Sequence, residues 1–227
     1  MSGLLGRVGL GLADAAAAVL LAPVCAACRA PLEHPTRGAV CDACWAAIVP
    51  LSPLGNETMP PHIGLATAIG AYDERLRDVV HALKYAARQT IARHLAARMR
   101  DAGADVLAGA DLVIPVPLHR SRERRRGFNQ ARELARHLGT PMADVLIRTR
   151  RTQSQADLPA AKRQANVAGA FALARGATTS LDGRIVVLVD DVSTTGATLN
   201  ACAAILIDAG VSEVRALTAA RAVARRP

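Results

Sequence analysis

An α/β fold, a parallel sheet flanked by helices, is what this sequence predicts, and three observations carry the prediction. Short apolar runs suited to strands alternate with stretches of helical period from Leu65 onward. Such alternation builds parallel sheets through right-handed crossovers. The run from Ile185 to Val189 is apolar without a break, as expected of a strand covered on both faces. The third observation is size and composition: 227 residues, 51% hydrophobic and 21% charged. That is room for one ordinary α/β domain and a small appendage, but not for two full enzyme domains. Aromatic residues make up 2% and alanine about a fifth of the chain, so the core is one of Ala, Val, Leu and Ile, on which helices pack closely.

In chain order, residues 1–22 read as an N-terminal helix. Their apolar stretch, Ala15 to Ala22, lies between Asp14 and Pro23 and falls well short of the ~20 residues that span a bilayer. Arg7 is its only preceding basic residue and Val24 sits where a lipoprotein signal needs a small one. A short helix packed on the body is therefore expected over a secretion signal, in a cytoplasmic chain with no stable membrane insertion. Residues 23–62 form a loop-rich module and linker: residues 25–62 hold four of the five cysteines and six of the twelve prolines. The α/β domain is expected over 65–227. Leu65 to Tyr72 is its first strand. Leu76, Val79, Val80 and Leu83 then mark one face of a helix, and Ile91, Leu95 and Met99 a second that ends near Gly103. Leu112 to Val116 is a buried strand running into a proline-rich turn. Ala131, Leu134, Ala135 and Leu138 mark a helix closed by Gly139. Ala143 to Ile147 is read as a further strand, 149–168 as a polar segment without clear period, and Val214 to Thr218 as the last strand. The helix before it carries Leu199, Cys202, Ala203 and Leu206 on one face.

Cys25-x2-Cys28 and Cys41-x2-Cys44 are two knuckles twelve residues apart. Each presents two thiolates to one ion, and two knuckles complete a four-thiolate tetrahedron, the preference of structural zinc. Disulfides and an iron–sulfur cluster are the alternatives; the first suits an oxidising compartment and the second less symmetric spacings. Four protein ligands leave no open position for catalysis. Cys202, on an apolar helix face, reads as a core residue.

Residues 186–198 read Val-Val-Leu-Val-Asp-Asp-Val-Ser-Thr-Thr-Gly-Ala-Thr. A buried strand delivers two adjacent carboxylates, and a hydroxyl- and glycine-bearing loop then opens a helix. Gly196 lets the backbone turn so that successive N–H groups converge on one anion, and the helix adds its positive end. Ser193, Thr194, Thr195 and Thr198 supply hydroxyl donors for a phosphate monoester, while Asp190 and Asp191 suit two ribose hydroxyls at the sheet's ligand crevice. Helix capping by Asp191 and Ser193 is the plainer reading, but two carboxylates at the end of a buried strand make it costly. The segment is neither a P-loop nor a GxGxxG turn.

This segment resembles, at every position, the ribose-phosphate signature of the type I phosphoribosyltransferases. Ile114-Pro115-Val116-Pro117-Leu118-His119, the run Arg126-Gly127-Phe128-Asn129-Gln130, and Arg148…Thr152-x2-Gln155-x2-Leu158…Arg163-x2-Asn166 further resemble the ComF family, competence-associated proteins with an N-terminal zinc module. The resemblance spans residues 25 to about 220. It implies a type I phosphoribosyltransferase-like sheet, with phosphoribosyl pyrophosphate (PRPP) and magnesium as ligands. By the same resemblance, Asp190 and Asp191 hold the ribose hydroxyls and Ser193, Thr194, Thr195, Gly196, Ala197 and Thr198 hold the 5-phosphate. The pyrophosphate loop falls on Val116 to Arg120. Pro115 and Pro117 have no N–H, so Leu118, His119 and Arg120 are its expected donors. Arg126 and Arg163 are the candidates for neutralising the leaving pyrophosphate, 149–168 for a closing loop, and the zinc module with residues 45–65 for the hood that selects the acceptor.

The net charge of +9 and pI of about 10.3 predict polyanionic partners. The resemblance supplies two functional readings. One is a phosphoribosyl-binding or phosphoribosyl-transferring protein of natural competence. The other is a non-catalytic factor that holds PRPP and single-stranded DNA beside DNA-uptake proteins. So few aromatics weaken base stacking but leave phosphate contacts by arginine. The run of five arginines in 120–126 is read as a DNA track through Arg122, Arg124 and Arg125, with Arg126 on the substrate; a solvated basic surface is the plainer alternative.

Overall fold

The computed structural model describes residues 22–51, 59–85, 89–152, 165–177 and 181–223. The N-terminal helix expected over 1–22, all but its last residue, and the positions Gln155, Leu158 and Arg163 lie outside them. In chain order the elements are α1 (Asp42–Ala46), β1 (Leu65–Ala71), α2 (Glu74–Tyr85), α3 (Gln89–Ala102), α4 (Ala104–Leu107), β2 (Leu112–Pro115), α5 (Arg120–Arg126), α6 (Gln130–Ala135), β3 (Leu146–Arg148), β4 (Phe171–Leu173), β5 (Ile185–Ser193), α7 (Ala197–Asp208) and β6 (Glu213–Arg221).

Four strands form one parallel sheet in the order β1-β6-β5-β2. The apolar run of β5 shows why it lies inside. Val187 and Val189 pack into the core beneath α2, α3 and α6, whereas Val186 and Leu188 pack into the core beneath α7. All four are fully buried, because successive side chains of a strand point to opposite faces. The periodic residues of the helices behave as their spacing requires: Leu76, Val79, Val80 and Leu83 of α2, and Leu199, Cys202, Ala203 and Leu206 of α7, are all buried.

Three local expectations change. The apolar stretch 143–147 does not join the parallel sheet. The chain touches β2 just before this stretch, at the bridge of Met142 with Val113, then leaves to pair antiparallel as β3 with β4. Leu146 is buried and Ile147 is 40% exposed, the one-sided burial of an antiparallel pair. The run 120–126, read as surface or track, is a helix of its own. His119 Nδ1 accepts from the Ser121 N–H at 3.2 Å, and Gly127 ends the helix in the left-handed conformation, φ 82°. Glu123 in its first turn and Arg124, Arg125 and Arg126 in its last match the helix dipole. Finally, β5 runs past its apolar part to Ser193, because β6 continues beside it as far as Arg221.

The cysteine module packs against α2 and α3. Its Trp45 meets His94 edge-on at 5.7 Å and lies under the Arg98 guanidinium at 4.5 Å. No helix among the described residues is long and apolar enough to cross a membrane.

Candidate active site and metal centre

β2 is followed by helices on one face of the sheet and β5 by α7 on the other. Their connections diverge, and a crevice opens between their carboxyl ends, as the geometry of open α/β sheets requires. Pairing of β2 with β5 stops at Pro115 and Val189, so Asp190 and Asp191 stand just beyond it. The cleft there is lined on the β5 side by Asp190, Asp191, Thr194 and Thr198, and on the β2 side by Val116, Pro117 and Leu118. Arg122, Arg126, Gln130 and Arg148 form the rest of that second wall, and Lys84 closes one end.

The two carboxylates differ. Asp191 pairs with Lys84 at 3.0 Å, both side chains largely buried. Burial opposes the Lys84 charge, but Asp191 outweighs it and the lysine pKa rises. Asp190 accepts from the Asp191 N–H at 2.8 Å. Burial first, and the Asp191 charge second, raise its pKa to about 8. The opposite wall is crowded with cations. Burial and the neighbouring Arg122 lower the Arg148 pKa; its guanidinium stacks 5.0 Å from the Phe171 ring centre and bonds the Thr152 hydroxyl. Arg122 donates to the Thr152 carbonyl at 2.8 Å. Asn129 donates to the Val116 carbonyl at 3.1 Å and accepts from the Ala131 N–H at 3.0 Å, tying the β2 loop to the start of α6. One wall thus offers carboxylates and hydroxyls, the other guanidinium groups: a cleft for a ligand that carries both hydroxyls and phosphates.

Not every expected residue lies in this cleft. Leu118 lines it, but His119 caps α5 and Arg120 is exposed. Ser193, Thr195 and Gly196 line an adjoining pocket with Pro60, Ile63 and Arg221, and Thr194 borders both. Ala197 begins α7. Gly196 has φ 73°, and a Cβ there would meet Pro60 Cγ at 2.7 Å, so glycine is required twice over. Residues 60–63 are thus the part of the expected hood that reaches the loop; no described residue of the cysteine module lines the cleft. Arg122 points into the cleft with Arg126, one helical turn apart, whereas Arg124 and Arg125 are exposed; Arg122 is therefore not part of an outward track. Lys84 was not singled out from sequence. Its signal is rarity: the chain has two lysines and 26 arginines, and a compact ammonium at the end of an apolar helix stands out among them.

The four cysteines converge as their spacing requires. All four Sγ atoms lie within 4.8 Å of one another, with Cys25–Cys44 at 3.8 Å and Cys28–Cys41 at 3.7 Å. A tetrahedron with Zn–S bonds of about 2.3 Å has S–S edges of about 3.8 Å, so the donor set fits zinc. The Cys41 N–H donates to Cys25 Sγ at 3.3 Å and Arg75 Nη1 to Cys44 Sγ at 3.6 Å, support that orients thiolate ligands. Burial pushes Cys25 up, but hydrogen bonds from the backbone of Cys28, Cys41 and Ala27 outweigh it and bring its pKa to about 6.

Known proteins agree with this architecture. Residues 124–227 match the phosphoribosyl transferase domain. Competence protein F of Haemophilus influenzae is 37% identical over 164 residues, covering 68% of this chain and 71% of that one. The chain belongs to the ComF family. Among other ComF-like relatives, DNA utilization protein YhgH of Salmonella typhi is 31% identical over 221 residues, 85% of this chain and 94% of that one. Competence protein ComFC of Bacillus subtilis is 33% identical over 99 residues, 44% of this chain and 39% of that one. The present chain is thus a ComF-type, phosphoribosyltransferase-like competence protein.

Proposed function

We propose that this ComF protein binds PRPP with magnesium in the β2–β5 cleft and holds it ready for loss of pyrophosphate. The observation that carries the reading is the two-sided cleft, Asp190 and Asp191 facing Arg122, Arg126 and Arg148. The carboxylates accept from the ribose hydroxyls, Ser193 to Thr198 cradle the 5-phosphate across the cleft and its adjoining pocket, and the β2 loop, through Leu118 rather than His119 or Arg120, takes pyrophosphate. Two carboxylates beside phosphate oxygens are the hard donors magnesium takes. When bound, that ion offsets charge on the departing pyrophosphate. Preorganised donors around the ribose C1 stabilise the oxocarbenium-like state; Arg126 is assigned to the leaving group, and so, by the family resemblance alone, is Arg163. In the same reading, residues 23–62 are a zinc-ribbon-like module, with zinc on Cys25, Cys28, Cys41 and Cys44, and 65–227 are the phosphoribosyl domain.

Calorimetry tests the ligand. Replacing Asp190 and Asp191 together by Asn preserves shape but removes charge and half of the oxygen acceptors, so PRPP affinity in magnesium should fall by about tenfold or more. Unchanged affinity would remove the site assignment.

One observation supports the second reading, a non-catalytic factor that holds PRPP and single-stranded DNA. Arg120, Arg124 and Arg125 are exposed on α5, and Arg37, Arg93 and Arg100 are exposed beside the module and α3. A phosphodiester strand suits such surfaces, and the relatives' names, DNA utilization and competence, agree with that use.

A further inference from the structure

Gln130 is 2% exposed, yet its Nε2 has no hydrogen-bond partner. Its other amide atom is fixed, because Oε1 accepts from Arg126 Nη1 at 2.8 Å. That bond leaves Nε2 as the free donor end, since an amide carries one acceptor and one donor terminus. Gln130 lines the cleft, and so does Arg148, whose Nε is likewise buried without a partner. The great majority of buried donors in proteins are satisfied, and an orphan costs its full desolvation. Two of them on one wall of one cleft, opposite the carboxylates, indicate that something with acceptor oxygens completes the wall.

We propose that Gln130 Nε2 and Arg148 Nε are ligand-reading donors for the pyrophosphate oxygens, and that Arg126 positions Gln130 as well as supplying charge. The assignment rests on the PRPP reading above and deepens it. It divides the ligand between two walls: the β5 loop takes the ribose 5-phosphate half, and Gln130 with Arg148 takes the pyrophosphate half. The neutral amide has a particular use. Arg122 already opposes the Arg148 charge, and Arg126 that of Lys84, so a donor without charge adds a hydrogen bond without further repulsion.

Two probes in magnesium, inorganic pyrophosphate and ribose 5-phosphate, separate the halves by calorimetry. Gln130→Glu keeps the acceptor for Arg126 but replaces the donor by a charged acceptor. Gln130→Met conserves volume and removes both polar atoms. Either variant should bind pyrophosphate about tenfold or more weakly, as expected when a hydrogen bond to a charged group is removed, with ribose 5-phosphate affinity within about twofold of the parent. Thermal unfolding of both variants controls for folding, and Met answers if Glu does not fold. Parent-like pyrophosphate affinity in a folded variant overturns the assignment. Equal loss of both probes also overturns it, since that is what a merely structural role produces. A parent chain that binds neither probe nor PRPP overturns the PRPP reading itself, and this inference with it.

Discussion

Asp190 illustrates how much a single residue's chemistry depends on its neighbours. In sequence it is one of two adjacent carboxylates; in the fold Asp191 takes the lysine, and Asp190 is left half-buried beside a like charge. Its pKa of about 8 lies well above the ordinary value near 4. A group whose folded pKa is raised stabilises the fold fully below its unfolded pKa and loses that contribution as pH rises through the folded value. Stability should therefore decline from about pH 4 through about pH 8. Asp190→Asn, neutral and nearly isosteric, should remove this part of the decline. Thermal unfolding between about pH 5 and pH 9 checks it: the parent's Tm should drop further than the variant's. Parallel profiles would show that Asp190 ionises normally.

Among the elements, the cysteine module is the one whose four thiolates converge on a single point. Its described part is short and loop-rich, and its apolar residues Leu32, Val40 and Trp45 belong to the same buried core as α2 and α3. With zinc on its four thiolates, as proposed, such a module would gain its order from the metal, because binding and folding are coupled. Cys41→Ser should release about one zinc per chain and loosen the docking of Trp45 under Arg98. The single tryptophan of the chain reports this directly as a red shift in emission. Elemental analysis that finds no zinc in the parent, or iron with sulfide, contradicts the assignment. The helix α2 links this element to the cleft: Arg75 near its start reaches Cys44 and Lys84 near its end holds Asp191.

The whole molecule carries +9, and the fold sets the arginines of α5 in two environments. Arg122 and Arg126 face the cleft while Arg124 and Arg125 face solvent, so replacing only the latter pair by Ala tests DNA retention without disturbing the site. Single-strand affinity should weaken, and the log–log salt slope should shrink by roughly 0.7 for each phosphate no longer neutralised. PRPP affinity should remain within a few-fold. A pair variant that matches the parent in DNA affinity and salt slope removes α5 from the DNA-binding surface.

Local pattern determined most of the elements and the chemical types at the site. Period-2 and period-3.6 burial are properties of the backbone itself, so Ile185–Val189, Leu76–Leu83 and Leu199–Leu206 were legible without a partner in view. So were the knuckles, because two CxxC turns converge by spacing alone, and so was the Asp190–Thr198 segment, contiguous along the chain. Tertiary structure decided what depends on distant residues. A short apolar stretch such as 143–147 does not say which strand it will pair with, and here β4 claimed it. The arginines of 120–126 sort into cleft and solvent only once α5 is docked. Lys84 and Gln130 acquire their partners from groups 107 and 4 residues away, the first through chain crossing, the second across the Gly127–Asn129 link between α5 and α6. Electrostatics and burial act through space, and only the packed sheet brings those charges within reach of one another.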